Sequence, residues 1–432
     1  MARDRRENKQ GAQPVNHAAP TKENITLLDD ASDNVYSAAV NEGHGMDPRA
    51  RKIFIICVVL VAVYFFGLIV PSDLINEGLH YSGTSRGYSL SWFVEDLLEN
   101  VNGLIGVFTG HDDGVVSFAS TMIRYIIIAM TGAGLALTGA IYQGTFKNAL
   151  VSPSTLGVSS GASLGMMLWI VFFVNEDASN VSWYEGYANT SLDPLEYLVN
   201  TYSLSLISFV GCILVVTIVV ATMRIGSKGS TSPIMMIITG QVLGSIIGAV
   251  TNSIRYYYLT VDTYGPKADL LTDLMIASFY RNYTWIDVVA VGIPLLATFL
   301  LIMRLRNKID IISLSKEEAR SLGVDTGKMQ IAIIGLCTLL TAILISFCGS
   351  VGFVGFLVPH MARRLVGPSF SYLLPAATAL GAVFVLGAYV LLTMTLGPSY
   401  ETMVGMFISI FGSGVFLITA LRGKGGVRGE FK

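Results

Sequence analysis

Charged residues are scarce in this sequence, and the long apolar runs hold almost none of them. They make up 13% of the 432 residues, whereas hydrophobic residues make up 52%. Soluble domains carry about a quarter charged residues, and a water-soluble core does not absorb this much apolar sequence. The composition therefore excludes an ordinary soluble domain and predicts a membrane protein. The net charge of -2 gives no indication of a nucleic-acid partner.

The sequence also lacks the usual motifs of metal binding, nucleotide binding and catalysis. Its four cysteines all lie in apolar runs, and none has a metal-ligand spacing such as C-x-x-C. The phosphate-binding pattern G-x-x-x-x-G-K-[ST] is absent, and no Ser/His/Asp or Glu/His cluster indicates catalysis. We therefore expect no catalytic residue, no metal and no cofactor on this chain, which is not predicted to be an enzyme.

Ionisable side chains are absent near the centres of the predicted spans. Ion-coupled carriers usually keep such groups at membrane depth to bind the coupling ion. Secondary transport is therefore disfavoured, although backbone carbonyls can also bind Na⁺. A secondary carrier or channel stays open as an alternative of another class, and a structural or signalling membrane protein is a third. A transporter without its own energy source needs a partner that supplies energy.

A membrane span needs about 20 mostly apolar residues. By this measure the fold is an all-α polytopic membrane protein with about ten transmembrane helices. The candidate spans are 53–70, 122–145, 155–174, 203–223, 233–256, 285–303, 329–348, 352–366, 371–396 and 403–421. The eighth is short and contains Pro359, so we expect a half-length or kinked helix there.

The basic residues indicate the orientation of these helices. With a cytoplasmic N-terminus, 23 of the 28 lysines and arginines fall on the cytoplasmic side, as the positive-inside rule requires. We therefore expect a multi-pass protein of the cell membrane, in contact with lipid, with both termini cytoplasmic. The predicted domains are a disordered polar tail over 1–50, a transmembrane domain over 51–422 and a C-terminal tail over 423–432. Within the transmembrane domain, 304–328 is the one long polar inner connection, and it contains the predicted coupling segment 310–327.

Two glycine ladders have the spacing G-x-x-x-G-x-x-x-G. Glycines four apart form a flat helix face, which lets neighbouring helices pack closely. Ordinary packing is one interpretation, and faces that slide or line a pathway are the other. The ladders consist of Gly157, Gly161 and Gly165, and of Gly240, Gly244 and Gly248.

Five motifs occur in a fixed order between Arg124 and Arg422. They are Gly132 to Gln143, Lys147 to Ala162, Glu317 to Val324, Gly349 to Arg363, and Glu401 to Gly405. In this order they resemble the FecCD family of ABC importer permeases, which serves iron(III)-siderophores, haem and cobalamin. The fourth motif, GSVGFVGFLVPHMAR, is very similar to the family's own pattern.

The resemblance implies a type II ABC importer permease fold and a set of partners. These are a second permease copy or a paralogue, a cytoplasmic ATPase dimer that carries ATP and Mg, and an extracytoplasmic substrate-binding protein. The implied cargo is an iron(III)-siderophore, with haem or cobalamin as the alternative. The resemblance also implies ATPase coupling through short helices that include Glu317, Glu318, Ala319, Arg320 and Gly323.

Arg124 is one of five basic residues on the predicted outer side, at the start of the second span. The family often carries arginines here, in a pattern like R-L-P-R, and uses them to pair with glutamates of the binding protein. In this sequence Thr121 occupies the first arginine position and Ile123 the position of the proline. The resemblance therefore implies that Arg124 is a docking residue, with a membrane-interface anchor as the alternative.

Overall fold

The structure is a computed structural model, and residues 49–432 form one compact unit. The structure describes residues 47–69, 115–149, 151–174, 194–226, 233–261, 267, 271, 279, 283–312, 326–396 and 403–422.

The described residues form ten α-helices, and their order confirms the all-α polytopic fold. Seven of them are long and apolar enough to cross a membrane. In lipid a chain must satisfy its backbone hydrogen bonds within itself, which favours helices for apolar runs of this length. The helices are α1 Pro48–Ile69, α2 Val115–Thr145, α3 Val158–Phe173, α4 Pro194–Gly226, α5 Pro233–Val261, α6 Trp285–Ile312, α7 Thr326–Cys348, α8 Val354–Val366, α9 Phe370–Leu396 and α10 Val404–Arg422.

Helix α2 is the centre of the bundle, where it packs against α6, α7, α8 and α9. Glycines allow its closest approaches: a Cβ atom on Gly132 would collide with the carbonyl oxygen of Gly381 in α9. A Cβ on Gly139 would likewise collide with the carbonyl oxygen of Gly355 in α8. Since lipid offers no hydrophobic drive for helix association, such backbone-to-backbone packing holds membrane helices together.

Helix α3 begins inside the bundle and not at its end. A short 3-10 helix, Ser154–Leu156, leads into Gly157, whose φ of 77° is left-handed. A Cβ on Gly240 would collide with the Thr155 carbonyl oxygen, and Gly240 lies seven residues, roughly 10 Å, into α5. Helix α3 therefore starts three residues after the predicted position 155, and the irregular turn before it packs against the candidate membrane span of α5.

Helix α8 is also a half-length element. It has 13 residues, about 20 Å, which is short of the roughly 30 Å hydrocarbon core. It starts after Phe353, whose φ of 64° is unusual for a non-glycine residue, and it contains Pro359. The expectation of a short eighth helix is confirmed. Irregular backbone in membrane proteins is tolerated where it is buried in protein or lines a cavity.

Several helix bounds differ from the sequence-based spans, among them the start of α4, which lies at Pro194 instead of 203. Helix α2 begins at Val115, seven residues before the predicted start, and α6 continues to Ile312 instead of ending at 303. Helix α7 begins at Thr326, so the predicted coupling segment 310–327 overlaps two helices at its ends. Residues 313–325 of that segment lie outside the described residues, as do the predicted tails apart from Asp47–Ala50.

Candidate functional site

A polar cleft opens between α3, α5 and the connection from α7 to α8. Its volume is about 250 Å³. Only one of its lining residues has an apolar side chain, and only one is charged. The lining residues are Ser159, Ser160, Ser163, Ile247, Gly248, Thr251, Asn252, Arg255 and Ser350.

Helix α5 supplies five of the nine lining residues. Among them, Gly248, Thr251, Asn252 and Arg255 each lie three or four residues from two of the others, which places them on one side of the helix. The opposite side is apolar and exposed, with Ile246 56% and Val250 46% accessible. Helix α5 is therefore amphipathic within its candidate membrane span, Ile237–Thr260, and its polar side faces the cleft.

The glycine ladder of α3 packs against α4. A Cβ on Gly161 would lie 2.7 Å from the Gly211 carbonyl oxygen and 2.8 Å from Cys212 Cα. A Cβ on Gly165 would collide with the Ile207 carbonyl oxygen, and one on Gly157 would lie 3.0 Å from a Val215 methyl group. This ladder therefore forms a close backbone contact between helices.

The glycine ladder of α5 changes from packed to open along its length. Gly240 touches the backbone before α3, and a Cβ on Gly244 would lie 2.9 Å from Ser160 Oγ. A Cβ on Gly248 would meet nothing within 4 Å, because this glycine lines the cleft. The same period of four continues to Asn252, so the ladder and the polar face of the cleft are one row of residues.

A buried hydrogen-bond network fixes α8 against α2. Arg363, 7% exposed, donates from Nη1 to Gln143 Oε1, and Gln143 Nε2 donates to the Phe356 carbonyl oxygen at 3.1 Å. His360 is buried on the same helix, whereas Arg364 is exposed. Positive-inside counting treats the two arginines alike and gives no signal for this network.

A second buried polar group caps α6. Asp287 is fully buried, and its Oδ2 accepts hydrogen bonds from Thr284 N–H at 2.8 Å and from Thr284 Oγ1 at 3.0 Å. A threonine at the helix start with an acid three residues later is a form of the capping box. This carboxylate therefore has a structural role at the helix terminus and does not line the cleft.

Arg124 is the tenth residue of α2, roughly 13 Å from its first residue, and its side chain is half-buried. The sequence predicted a position at the helix start, which the earlier start at Val115 corrects. The predicted coupling residues Glu317, Glu318, Ala319, Arg320 and Gly323 lie outside the described residues. Within the described part, no group of three His, Cys, Asp or Glu residues is placed to hold a metal ion.

Comparisons with known proteins agree with this architecture. The model of the FecCD transport family matches residues 88–422. A permease protein of a Bacillus subtilis Fe(3+)-citrate import system, YfmE, is 30% identical over 68% of this chain and 78% of its own length. The cobalamin import permease BtuC of Halobacterium salinarum is 27% identical over 68% of this chain and 70% of its own.

A solved structure shows the same fold. It is described as a metal-chelate type ABC transporter in an inward-facing conformation. The TM-score is 0.63 at 22% identity, and the match covers 87% of this chain and 99% of the other. At this identity the likeness concerns the fold alone.

Proposed function

This chain belongs to the FecCD transport family of ABC importer permeases, and from that premise we propose that its cargo is an iron(III)-siderophore or a similar ferric chelate. The chain takes this cargo from an external binding protein and passes it to the cytoplasm while a separate ATPase hydrolyses ATP. Haem or cobalamin import by the same machinery is the alternative cargo.

The observation that supports a chelate is the chemistry of the cleft. Its side chains offer hydroxyl groups, an amide and one guanidinium, and none is a carboxylate. Carboxylate- and hydroxamate-type iron chelates present oxygen atoms, often with negative charge, which such groups bind. The iron-citrate relative supports the same cargo class, whereas the cobalamin relative supports the alternative.

Uptake by the reconstituted transporter tests both the cargo and the energy source. The chain is co-expressed with a candidate ABC ATPase and a candidate binding protein and placed in proteoliposomes with ATP enclosed. We expect labelled ferric chelate to accumulate with ATP and not with a non-hydrolysable analogue. Accumulation driven by an ion gradient without ATP would establish a secondary carrier. Accumulation of cobalamin or haem alone would assign the alternative cargo.

The segment from Glu317 to Val324 is proposed to transmit the ATPase motion. Ser315 suits a helix cap, the two glutamates favour the helix N-terminus, and Gly323 suits a left-handed stop. If Gly323 is left-handed, Gly323→Val costs about 1–2 kcal/mol locally. ATP hydrolysis should then continue while uptake falls. Normal uptake at normal expression counts against this assignment.

Arg124 is proposed to pair with an acid of the binding protein. A long arginine stem can carry the charge from within α2 towards the membrane surface. Arg124→Glu places two acids opposite each other, so docking should weaken more than in Arg124→Ala, and its salt dependence should change. The measurement is binding-protein affinity for the reconstituted transporter at low and high salt. Unchanged affinity at both salts would identify Arg124 as a membrane anchor.

The proposed orientation has both termini in the cytoplasm. Single cysteines at Ser179 and Ser313, in a cysteine-free background, report the two sides through an impermeant reagent applied to intact cells. We expect labelling at Ser179 and protection at Ser313, and the reverse pattern excludes this topology.

A further inference from the structure

The polar face of the cleft lies on a candidate membrane span. On α5, the buried Thr251, the exposed Asn252 and the half-buried Arg255 fall within Ile237–Thr260, whose other exposed side chains are mostly apolar. Polar and ionisable groups are expensive in lipid and usually face a water-filled cavity or a ligand. We therefore expect the cleft to hold water or a ligand that binds these groups.

Hydrogen bonds within the protein do not account for most of the lining. Ser163 Oγ and Thr251 Oγ1 donate to carbonyl oxygens of their own helices, at 3.1 Å to Ser159 O and at 3.0 Å to Ile247 O. The other polar side chains of the cleft make no hydrogen bond to another of the described residues. They are Ser159, Ser160, Asn252, Arg255 and Ser350.

The charge and size of the cleft limit the ligand. Arg255 is its one charged side chain, and no acid among the lining residues offsets that charge. A guanidinium binds a carboxylate through two parallel hydrogen bonds, so an oxyanion fits and a cation is repelled. The volume of about 250 Å³ lies just below the usual range of about 300–1,000 Å³ for small-molecule pockets. One arm of a chelate fits, and a whole large chelate does not.

We propose that this cleft is a subsite for a carboxylate arm of an anionic ferric chelate. Arg255 pairs with the carboxylate, and Asn252 and the serine hydroxyls of α3 bind the oxygen atoms beside it. The inference rests on the proposed function and adds a specificity to it: the permease itself selects anionic chelates over neutral or cationic ones of similar size.

Direct binding to the purified permease separates this selection from that of the binding protein. The probe is ferric citrate, followed by quenching of tryptophan fluorescence, with a neutral trihydroxamate chelate as the second ligand. For Arg255→Gln we expect the Kd of ferric citrate to rise about tenfold, the size expected for one charge-assisted hydrogen bond. The neutral chelate should change less than about twofold, since it loses no charge pairing. Arg255→Lys should recover part of the affinity.

Two control variants lie outside the cleft. Arg304→Gln removes an exposed arginine of α6, and Ser253→Ala removes an exposed hydroxyl adjacent to Asn252 that donates to the Ala249 carbonyl oxygen. Both should bind ferric citrate like the wild type, whereas Asn252→Ala should bind it more weakly. Thermal unfolding of every variant establishes that the fold is intact.

The outcomes distinguish this inference from the proposed function. Equal affinity of Arg255→Gln and Arg304→Gln for ferric citrate overturns the subsite, as does equal weakening for the neutral chelate. Absence of ferric citrate binding by the wild-type permease also overturns it. In each of these cases ATP-dependent uptake of another ferric chelate leaves the proposed function standing. If no ferric chelate is transported, the function itself is wrong.

Discussion

The two sides of α3 use small residues in opposite ways. On one side, Gly161 and Gly165 bring its backbone against that of α4, where even one methyl group has no room. On the other, Ser159 and Ser160 face a cleft, and opposite them Gly248 has no atom within 4 Å of a built Cβ. A glycine ladder thus indicates that a helix face is flat, but not whether that face is filled.

The largest expected effect on stability comes from adding a side chain to the face of α3 that packs against α4. Gly161→Val forces a branched side chain against Gly211 and Cys212 backbone atoms, which cannot rotate away as a side chain does. We expect the free energy of unfolding to fall by about 3 kcal/mol, at the upper end of the cost of overpacking a core. Thermal unfolding of the purified permease measures it. Gly248→Val is the matched control, and equal destabilisation by both would remove the difference between the two sides.

A smaller loss of unfolding free energy is expected when the buried hydrogen bond between α8 and α2 is removed. Arg363→Met leaves Gln143 Oε1 without its buried donor, which costs about 1–3 kcal/mol. Arg364→Met, at the exposed neighbour, should stay within about 0.5 kcal/mol of the wild type. The denaturation midpoints of the two variants measure this difference in stability. Similar stability of the two variants would mean that Arg363 acts only as a positive anchor.

The smallest effect on stability is expected on the open side, where transport should change instead. Gly248→Ala should stabilise the helix by about 0.5–1 kcal/mol, because alanine loses less chain entropy than glycine. Its methyl group should lower ferric chelate uptake by narrowing the cleft. Gly335→Ala on α7, which also has nothing within 4 Å, is the control with unchanged uptake. Unchanged uptake in both variants would mean that Gly248 does not line the transport pathway.

Much of the fold was predictable because the bilayer sets one rule for the whole chain. Runs of about 20 apolar residues must become helices, so the described helices fall where the hydropathy placed them. Their ends were less predictable. The start of α2 at Val115 and the end of α6 at Ile312 lie in more polar sequence, where apolar length is no guide.

The cleft was only partly predictable. The row Gly240, Gly244, Gly248 and Asn252 is visible in the sequence, and with Arg255 it signals a polar helix face. Which helix lies opposite is a non-local fact that spacing along α5 does not contain. The same holds for Arg363, whose partner Gln143 is 220 residues away.

The membrane environment, the all-helical fold and the family can be read from the amino-acid sequence alone, since they follow from apolar length and from motifs in order. The folded molecule was needed to see which glycines pack and which open onto a cleft, which arginine is buried, and that α3 and α8 start inside the bundle. This division arises because hydropathy acts on each segment alone. Packing distances and hydrogen-bond partners arise only when segments distant in sequence meet.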